Sequence, residues 1–253
     1  MEKRHTIPAV DKSLKLLTVL AESDEAWSSA RLARTLDISP STCYRILQTL
    51  VGRNWLRLTP EGDYTFSAGM FPLLKPLTNY QRLFESLGAP LQRLVGETGL
   101  TAKLSVKQGD SASTVFRVES PRPLAPSFKV GGSFSLSYGS SGSCLLAGLE
   151  DGEITRILDE SPADVWTYQS PDDVWARVGS VRSQGFCMDA GRYQPSVYSA
   201  SAPIHNREER YFAALSLIGW EADFHGGKQK EIQALVLQYA AQCSEGLGDK
   251  AVA

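Results

Sequence analysis

The sequence predicts an α+β protein with two domains, and three observations carry this prediction. Residues 28–53 show a short amphipathic helix, a tight turn and a second helix with one apolar and one polar face. The signature of a β-hairpin follows directly. From Thr101 the apolar residues change from helical spacing to alternation, as in strands. We therefore expect a winged helix-turn-helix first and an antiparallel sheet flanked by helices second.

The first helix of the N-terminal domain is expected over residues 9–21, where apolar residues recur at helical intervals. A second, short helix is predicted after Ser28 or Ser29, which supply an N-cap, and Asp37-Ile38 forms the turn that follows it. The stripe predicted to be buried on the first helix comprises Val10, Leu14, Leu17 and Leu20.

The helix that begins at Ser39 is the candidate DNA-reading element. Ser39 is a good N-cap, and Pro40 suits the first helical position, where its missing N–H costs nothing. No carboxylate occurs from Ser39 to Arg53, whereas a solvated helix face normally mixes acids with bases. Uncharged donors and one guanidinium suit phosphates and base edges instead. The predicted DNA-contacting residues are Ser29, Arg31, Ser39, Ser41, Thr42, Tyr44, Arg45 and Gln48.

The wing of this domain is predicted from residues 55–66. A short apolar strand at 55–58 and another at 64–66 flank the turn residues of Thr59-Pro-Glu-Gly-Asp63. An ordinary three-helix core with an exposed polar helix is the alternative, but it leaves the position of the hairpin unexplained. A helix that enters the major groove is therefore the preferred interpretation.

Composition sets broad limits on the class of protein. The 253 residues are 42% hydrophobic and 21% charged, with a net charge of −2, which is ordinary for a globular chain. Residues 1–75 carry +2 and the remainder −4, a mild asymmetry that agrees with a DNA-binding N-terminus. The four cysteines are far apart, and no apolar run approaches the length of a membrane span. Residues 1–13 have no apolar stretch, so we expect that they are not a signal peptide. We expect a cytoplasmic protein without membrane association.

The second half is expected to be a sensor-like α+β domain. The predicted boundaries are 1–70 for the winged helix, 71–88 for a linker helix and 89–253 for the second domain. Strands begin at Thr101, and residues 121–132 are irregular. Further helices are predicted near 141–149, 151–159, 171–184 and 227–246, and further strands at 186–189, 197–204 and 212–218.

Enzyme classes find no support in the motifs. The run Gly139-Ser-Ser-Gly-Ser143 fails the nucleophile pattern GxSxG, because its second glycine comes one residue early. The phosphate-binding motifs GxxxxGK(S/T) and GxGxxG do not occur. No cluster of His, Cys and carboxylates has metal-ligand spacing. We expect no catalytic residue, no metal and no cofactor.

The order and spacing of several sequence blocks resemble the isocitrate-lyase-regulator, or IclR-type, transcription factors. The resemblance implies a winged-helix head, a linker helix and a GAF-like effector domain. It implies binding to a double-stranded DNA operator as a homodimer or a dimer of dimers, with repression expected and with small metabolites, often carboxylates or aromatic compounds, as effectors. The blocks are residues 9–14, 29–36, 39–50, 116–121, 139–142, 185–189, 201–204 and 213–219.

The resemblance also implies an effector site at the loop before the central helix and the strands behind it. Three departures lie in this site, at Ser137-Tyr138, at Gly142-Ser143-Cys144 and at residues 190–193. The second stands where the family often has Gly-Lys-Ala, which removes a possible cation. A doubly charged ligand is therefore disfavoured. The residues carried over are Leu124, Ser140, Ser141, Asp189, Val197, Ser199, Ser216 and Ile218, to which Tyr138 and Tyr198 are added as aromatic wall.

The residues of this region leave some alternatives open. The loop at 137–143 is rich in small polar residues before an apolar helix, which suits an anion or carbonyl but also a plain capping turn. Tyr138, Tyr193, Tyr198, Trp220 and Phe128 are pocket wall or ordinary core. Asp189 is either a ligand contact or a buried structural acid. We favour an aromatic acid or its amide over an aliphatic dicarboxylate as effector.

Two functions from different classes remain for the whole chain. The first is a ligand-responsive regulator that binds an inverted-repeat operator. The alternative is a small-molecule sensor that acts through a protein partner, with the head used for dimerisation. The polar face around Tyr44 and Arg45 favours DNA, since a protein-binding face is expected to be more apolar.

Overall fold

A computed structural model describes residues 6–23, 25–74, 87–206 and 211–247. It divides the chain into two compact units, Met1–Thr78 and Asn79–Ala253. The domain boundaries expected from the sequence stay predictions. Most of the expected linker helix, residues 75–86, lies outside the described residues.

The first unit is a winged helix-turn-helix. Its helices are α1 (Pro8–Ala21), α2 (Ser29–Thr35) and α3 (Pro40–Gly52), followed by the hairpin β1 (Leu56–Leu58) and β2 (Tyr64–Phe66). A 3₁₀ turn at Ala68–Met70 and the short helix α4 (Phe71–Leu74) follow the hairpin. The predicted fold of the head is confirmed.

Serine caps set the start of two helices in this unit. The Ser28 hydroxyl accepts from the Arg31 amide at 3.2 Å, so Ser28 rather than Ser29 caps α2. The Ser39 hydroxyl accepts from the Thr42 amide at 3.3 Å, and Pro40 opens α3 as expected. Asp37 adopts a positive φ of 50° in the turn, which fixes the change of direction between the two helices.

The stripe predicted for α1 is partly wrong. Val10 and Leu14 are 51% and 59% exposed, whereas Leu16 and Leu20 are buried. The buried face is rotated because only the C-terminal half of α1 packs on the core of the head. That core is formed by Leu16, Leu20, Leu32, Ala33, Cys43, Ile46, Leu47, Leu50, Leu56 and Tyr64.

The second unit is built on one six-stranded antiparallel sheet with the order β5-β4-β3-β8-β7-β6. From one edge to the centre, the first three strands are β5 (Ser133–Ser135), β4 (Ser111–Val118) and β3 (Thr101–Gln108). The other side consists of β8 (Ala213–Trp220), β7 (Val197–Ile204) and β6 (Cys187–Gln194). The predicted α+β class is therefore confirmed, and the edge strand β5 is an addition that the sequence pattern did not reveal.

Helices cover both faces of this sheet. The first face packs on α5 (Gly88–Thr98) and α9 (Lys228–Leu247), with Leu104, Leu215 and Val236 in the shared core. The second face packs on three helices, with Cys144, Ile154 and Val178 in a separate core. Those three helices are α6 (Gly139–Leu146), α7 (Asp151–Asp159) and α8 (Pro171–Gln184).

Alternation along the strands sorts the side chains between the two faces. On β3, Ala102 and Leu104 enter the core of α5 and α9, so Lys103 between them faces the α6 side. On β7, Tyr198 and Ala200 belong to the α5 and α9 side. Residues 197, 199 and 201 of that strand face α6.

Candidate functional site

The exposed face of α3 carries the donors expected for DNA contact. Ser41, Tyr44, Arg45 and Gln48 are all exposed, and Tyr44 is 55% accessible. Arg45 forms no ion pair with any residue in the described ranges, so its guanidinium is available to a phosphate or a base edge.

Several of the residues predicted to contact DNA form hydrogen bonds within the head. The Ser39 hydroxyl donates to Thr42 Oγ1 at 2.8 Å and lies 3.3 Å from the Ser41 hydroxyl. Gln48 Nε2 donates to the Tyr64 hydroxyl of the wing at 3.3 Å. These contacts fix the first turn of α3 and connect its polar face to the wing.

The two predicted contacts on α2 differ from those on α3. Arg31 stacks on Trp27 at 3.7 Å from the ring centroid and lies 3.5 Å from Glu25. The Ser29 carbonyl receives a weak contact from the Cys43 thiol at 3.6 Å. Both residues serve the packing of the head in this structure, and their contact with DNA stays a prediction.

A cavity of about 180 Å³ lies in the second unit between the sheet and the N-terminal end of α6. Its volume suits a ligand of about one substituted ring, since a cavity of about 150 Å³ is known to hold benzene. The structure brings most of the predicted effector residues to it. The predicted residues that line it are Tyr138, Ser140, Ser141, Asp189, Val197, Ser199 and Ile218. Gly139 and Tyr193, which are close to them in sequence, line it as well.

Five serines form a continuous chain of hydrogen bonds beneath and beside this cavity. Ser140 of α6 lies 2.7 Å from Ser199 and 2.7 Å from Ser201, both on β7. Ser201 donates to Ser216 on β8 at 2.7 Å, and Ser216 lies 2.7 Å from Ser141. The chain satisfies buried hydroxyls and ties the first turn of α6 to two strands.

Asp189 is a buried acid with a structural task. Its carboxylate accepts from the Arg192 amide at 2.8 Å and from the Tyr193 amide at 3.1 Å, which holds the bulged end of β6. Burial raises the pKa of Asp189, and the Arg177 guanidinium and the two amides oppose that rise. Asp189 also lines the cavity, so its structural role is observed and its contact with a ligand stays a prediction.

Aromatic rings close the side of the cavity next to Asp189. Tyr138 and Tyr193 lie 4.4 Å apart between ring centroids. The Tyr138 hydroxyl donates to Asp164 at 2.8 Å, and burial together with that acid raises the pKa of Tyr138 to about 12. Tyr138 is therefore a neutral wall residue at physiological pH.

A second buried network holds the loop before α6. Arg177 of α8 donates through Nε to the Ser143 hydroxyl at 2.9 Å and through Nη2 to Gln169 at 2.6 Å. Gln169 in turn donates to the Ser137 carbonyl at 2.8 Å. Ser143 thus accepts a hydrogen bond from a guanidinium that belongs to another helix, α8.

Three of the predicted effector residues lie outside the cavity. Leu124 is 84% exposed, and its carbonyl accepts from the Trp220 indole at 2.9 Å. Tyr198 points to the opposite face of the sheet, where it packs on Phe224, because strand alternation separates it from its neighbours. Ser216 is fully buried and is connected to the cavity through Ser141 and, by way of Ser201, through Ser140. Trp220, considered as wall, is also absent from the lining.

The predicted site lacks two charged residues of the cavity, Lys103 and Lys129. Lys103 on β3 lines it and is only 5% exposed. Burial lowers the pKa of Lys103 to about 8. The alternation of Ala102 and Leu104 was the available signal, since it assigns the intervening lysine to the other face. Other lining residues missed by the prediction are Thr114, Gly132, Ser133 and Phe134.

Other kinds of site are not seen in the described part of the chain. No group of three His, Cys, Asp or Glu side chains there is arranged to hold a metal ion. All four cysteines are free and buried. No helix within the described ranges is long and apolar enough to cross a bilayer.

Comparison with known proteins gives one consistent result. The model of the IclR helix-turn-helix domain matches residues 9–60, and the model of the C-terminal domain of the bacterial transcriptional regulator IclR matches residues 77–245. The uncharacterized HTH-type transcriptional regulator RhmR of Escherichia coli (strain K12) is 25% identical, with 96% of this chain and 95% of RhmR covered. The transcriptional repressor IclR of the same strain is 23% identical, with 96% and 90% covered.

A solved structure shares the fold along almost the whole chain. The crystal structure of an IclR homologue complexed with 4-hydroxybenzoate, from Microbacterium hydrocarbonoxydans, has a TM-score of 0.80 at 16% identity. The alignment covers 94% of this chain and 98% of that one. Since the C-terminal family model alone spans more than half of the sequence, this protein belongs to the IclR family, whose members are transcriptional regulators and not enzymes.

Proposed function

We propose that this regulator binds an inverted-repeat operator through α3 and that a small aromatic or carboxylate effector in the cavity of the second unit modulates its affinity for DNA. Repression in the cytoplasm is the proposed mode of action. The observation that carries the proposal is the cavity of about 180 Å³ in a chain whose other unit is a winged helix-turn-helix.

The proposed reading of DNA rests on the carboxylate-free face of α3. One recognition helix covers only a few base pairs, too few to select a single site in a genome. We therefore propose a homodimer or a dimer of dimers, whose two-fold symmetry requires half-sites about one helical turn apart or a multiple of that. The sensor acting through a protein partner is disfavoured because the exposed face of α3 is polar.

The proposed effector class rests on the lining of the cavity. Rings of Tyr138, Tyr193, Phe128 and Phe134 suit a flat apolar body, and the hydroxyl of Ser141 suits a polar end. The related structure from Microbacterium hydrocarbonoxydans was solved with 4-hydroxybenzoate, which is a ligand of this size and kind.

A single set of measurements tests this proposal. The full chain is screened by thermal shift against aromatic acids, aromatic amides and aliphatic dicarboxylates, because a ligand of the folded state raises the melting temperature. Fluorescence anisotropy and footprinting on the DNA upstream of its own gene then follow, with and without the best ligand. We expect a protected inverted repeat and an affinity that changes with the ligand. A single unrepeated half-site, light scattering from a monomer, or no ligand effect would contradict it.

A further inference from the structure

Lys103 occupies an unusual position in the cavity wall. It lies on β3, a central strand of the sheet, and its side chain is almost fully buried. Its ammonium lies 4.3 Å from the ring centroid of Phe134 and 4.7 Å from that of Phe128. It forms no hydrogen bond or ion pair with any residue that the structure describes.

The neighbours of Lys103 on the sheet do not neutralise it. Its partner in register on β4 is Arg117, a second cation, and Arg117 already pairs with Glu119 at 3.0 Å and donates to the Phe128 carbonyl. Its partner on β8 is Ser216, whose hydroxyl is part of the serine chain. Two aromatic faces stabilise an ammonium by cation–π attraction but do not replace a counter-ion.

A buried ammonium without an anion is costly for the folded protein. Such a group is usually neutralised by a carboxylate supplied by the protein. Lys103 lines the cavity, so an anion bound there supplies the missing counter-ion. At neutral pH the group is still mostly protonated, since burial lowers its pKa only to about 8.

We propose that Lys103 is the anion-recognising residue of the effector cavity and that the effector is a single-ring aromatic monocarboxylate. The carboxylate pairs with the Lys103 ammonium between the rings of Phe128 and Phe134. This inference rests on the proposed function of the cavity as the effector site.

The opposite end of the cavity limits the ligand to one charge. Asp189 lies on β6, three strand spacings from β3, or roughly 14 Å between backbones at about 4.8 Å per spacing. A second carboxylate at that end would face the Asp189 carboxylate, whereas a hydroxyl or amide would find an acceptor there. The volume admits about one ring. The ligand is thus oriented with its acid toward β3 and a neutral donor, where it has one, toward β6.

This orientation differs from the one suggested by the sequence. From the sequence, the loop before α6 suited an anion or a carbonyl oxygen, or was a plain capping turn, and the absent lysine after Gly142 disfavoured a doubly charged ligand. In the structure the hydroxyls of Ser140 and Ser141 are bonded within the serine chain, and the cation is supplied by β3.

Isothermal titration calorimetry on the full chain at pH 7 tests the assignment with two matched probe pairs, benzoate with benzamide and 4-hydroxybenzoate with 4-hydroxybenzamide. We expect the wild type to bind each acid at least tenfold more tightly than its amide. In Lys103→Met, which keeps the volume and removes the charge, affinity for the acids falls at least tenfold and affinity for the amides changes less than threefold. Lys103→Gln is the second neutral variant.

Lys107→Met is the control, because Lys107 is on the same strand outside the cavity, at 4.0 Å from Glu153. It is expected to bind all four probes like the wild type. Equal preference for acid and amide in the wild type would overturn the assignment, as would unchanged acid affinity in a folded Lys103→Met. If the wild type binds none of the probes, the proposed effector cavity itself fails, whereas binding that ignores Lys103 rejects only the role of this lysine.

Discussion

Gly142 of α6 packs directly against the backbone of Leu136, so that a β-carbon at Gly142 would overlap the Leu136 carbonyl oxygen. The glycine allows the helix to lie against the loop that precedes it, and this contact sets where Ser140 and Ser141 stand at the cavity.

Gly142→Ala is therefore expected to destabilise the protein by about 2 kcal/mol or more, because backbone atoms cannot yield as a flexible side chain does. Gly152→Ala in α7 is the matched control, since nothing lies within 4 Å of its added β-carbon. There alanine is expected to stabilise by about 0.5–1 kcal/mol. Urea unfolding of both variants measures the difference, and equal midpoints would show that the close approach does not matter.

Arg45→Ala tests the recognition helix. A guanidinium that reads guanine is expected to contribute about 1–3 kcal/mol and to specify one operator position. A guanidinium that holds a phosphate is expected to give a uniform loss across sequences and a salt slope lower by about one. Lys228→Ala in the other unit is the control for loss of a positive charge. Unchanged operator affinity in a folded Arg45→Ala rejects both roles.

The charge of Lys103 predicts how effector affinity depends on pH. Binding of an anion favours the protonated lysine, whose pKa in the free protein is about 8. Affinity for benzoate is therefore expected to be constant below pH 7.5 and to fall above pH 8, by up to about tenfold per pH unit. Affinity for benzamide stays level.

The two tyrosines of the cavity wall do not titrate in this pH window. Burial raises the pKa of Tyr138 to about 12 and raises the pKa of Tyr193, so both tyrosines stay neutral. Burial also raises the pKa of Asp189, and the parallel measurement on Lys103→Met separates its titration from that of the lysine. Calorimetry from pH 6 to pH 9 measures the profile. A benzoate curve that stays level in the wild type, or one that falls equally in Lys103→Met, contradicts the prediction.

The same lysine is expected to reduce the stability of the ligand-free protein. Its pKa falls from 10.5 in the unfolded chain to about 8 on folding, so the folded state disfavours the proton. Below pH 8 the lysine is protonated in both states, and the free energy of unfolding is reduced by the full cost of burying the charge. As pH rises from 8 toward 10.5 this reduction disappears, so the free energy of unfolding increases. Lys103→Met removes the charge and is expected to stabilise by about 1–3 kcal/mol at pH 7.

Urea unfolding without ligand measures this effect at pH 7 and pH 9.5. The gain from Lys103→Met should be smaller at the higher pH, because the wild-type lysine is then largely neutral. Lower stability of Lys103→Met at pH 7 would mean that the lysine stabilises the fold, which the burial of its charge does not predict. If Lys103→Met is more stable than the wild type and binds the acids more weakly, Lys103 serves ligand binding at a cost in stability.

Local sequence signals were sufficient for much of the fold. The caps at Ser28 and Ser39, the turn at 59–63 and the alternating strands are each determined by neighbouring residues, so the head and the sheet could be predicted. The buried face of α1 could not, because which of two apolar stripes packs on the core depends on the position of the other helices. Leu16 was left out of the predicted stripe for this reason.

The candidate site was predictable in part. Ser140, Ser141 and Asp189 line the cavity as expected. Tyr198 was misplaced although its strand was predicted correctly, because the choice of face depends on which layer covers each side of the sheet. Lys103 escaped notice because a lysine within a strand usually indicates a solvated face, and only the packing of α6 over that face buries it.

The five hydroxyls of the serine chain have one proton more than their mutual hydrogen bonds need. Five hydroxyls carry five protons, and the four hydrogen bonds use four of them. Because Ser201 donates to Ser216, Ser140 must donate to Ser201 and Ser199 to Ser140, which leaves one uncommitted proton on either Ser141 or Ser216. Rotation of these two hydroxyls turns Ser141 from donor into acceptor without breaking a bond. The serine end of the cavity thus tolerates a carbonyl or a hydroxyl equally, and in our proposal discrimination between effectors rests on the charged groups at the two ends, Lys103 and Asp189.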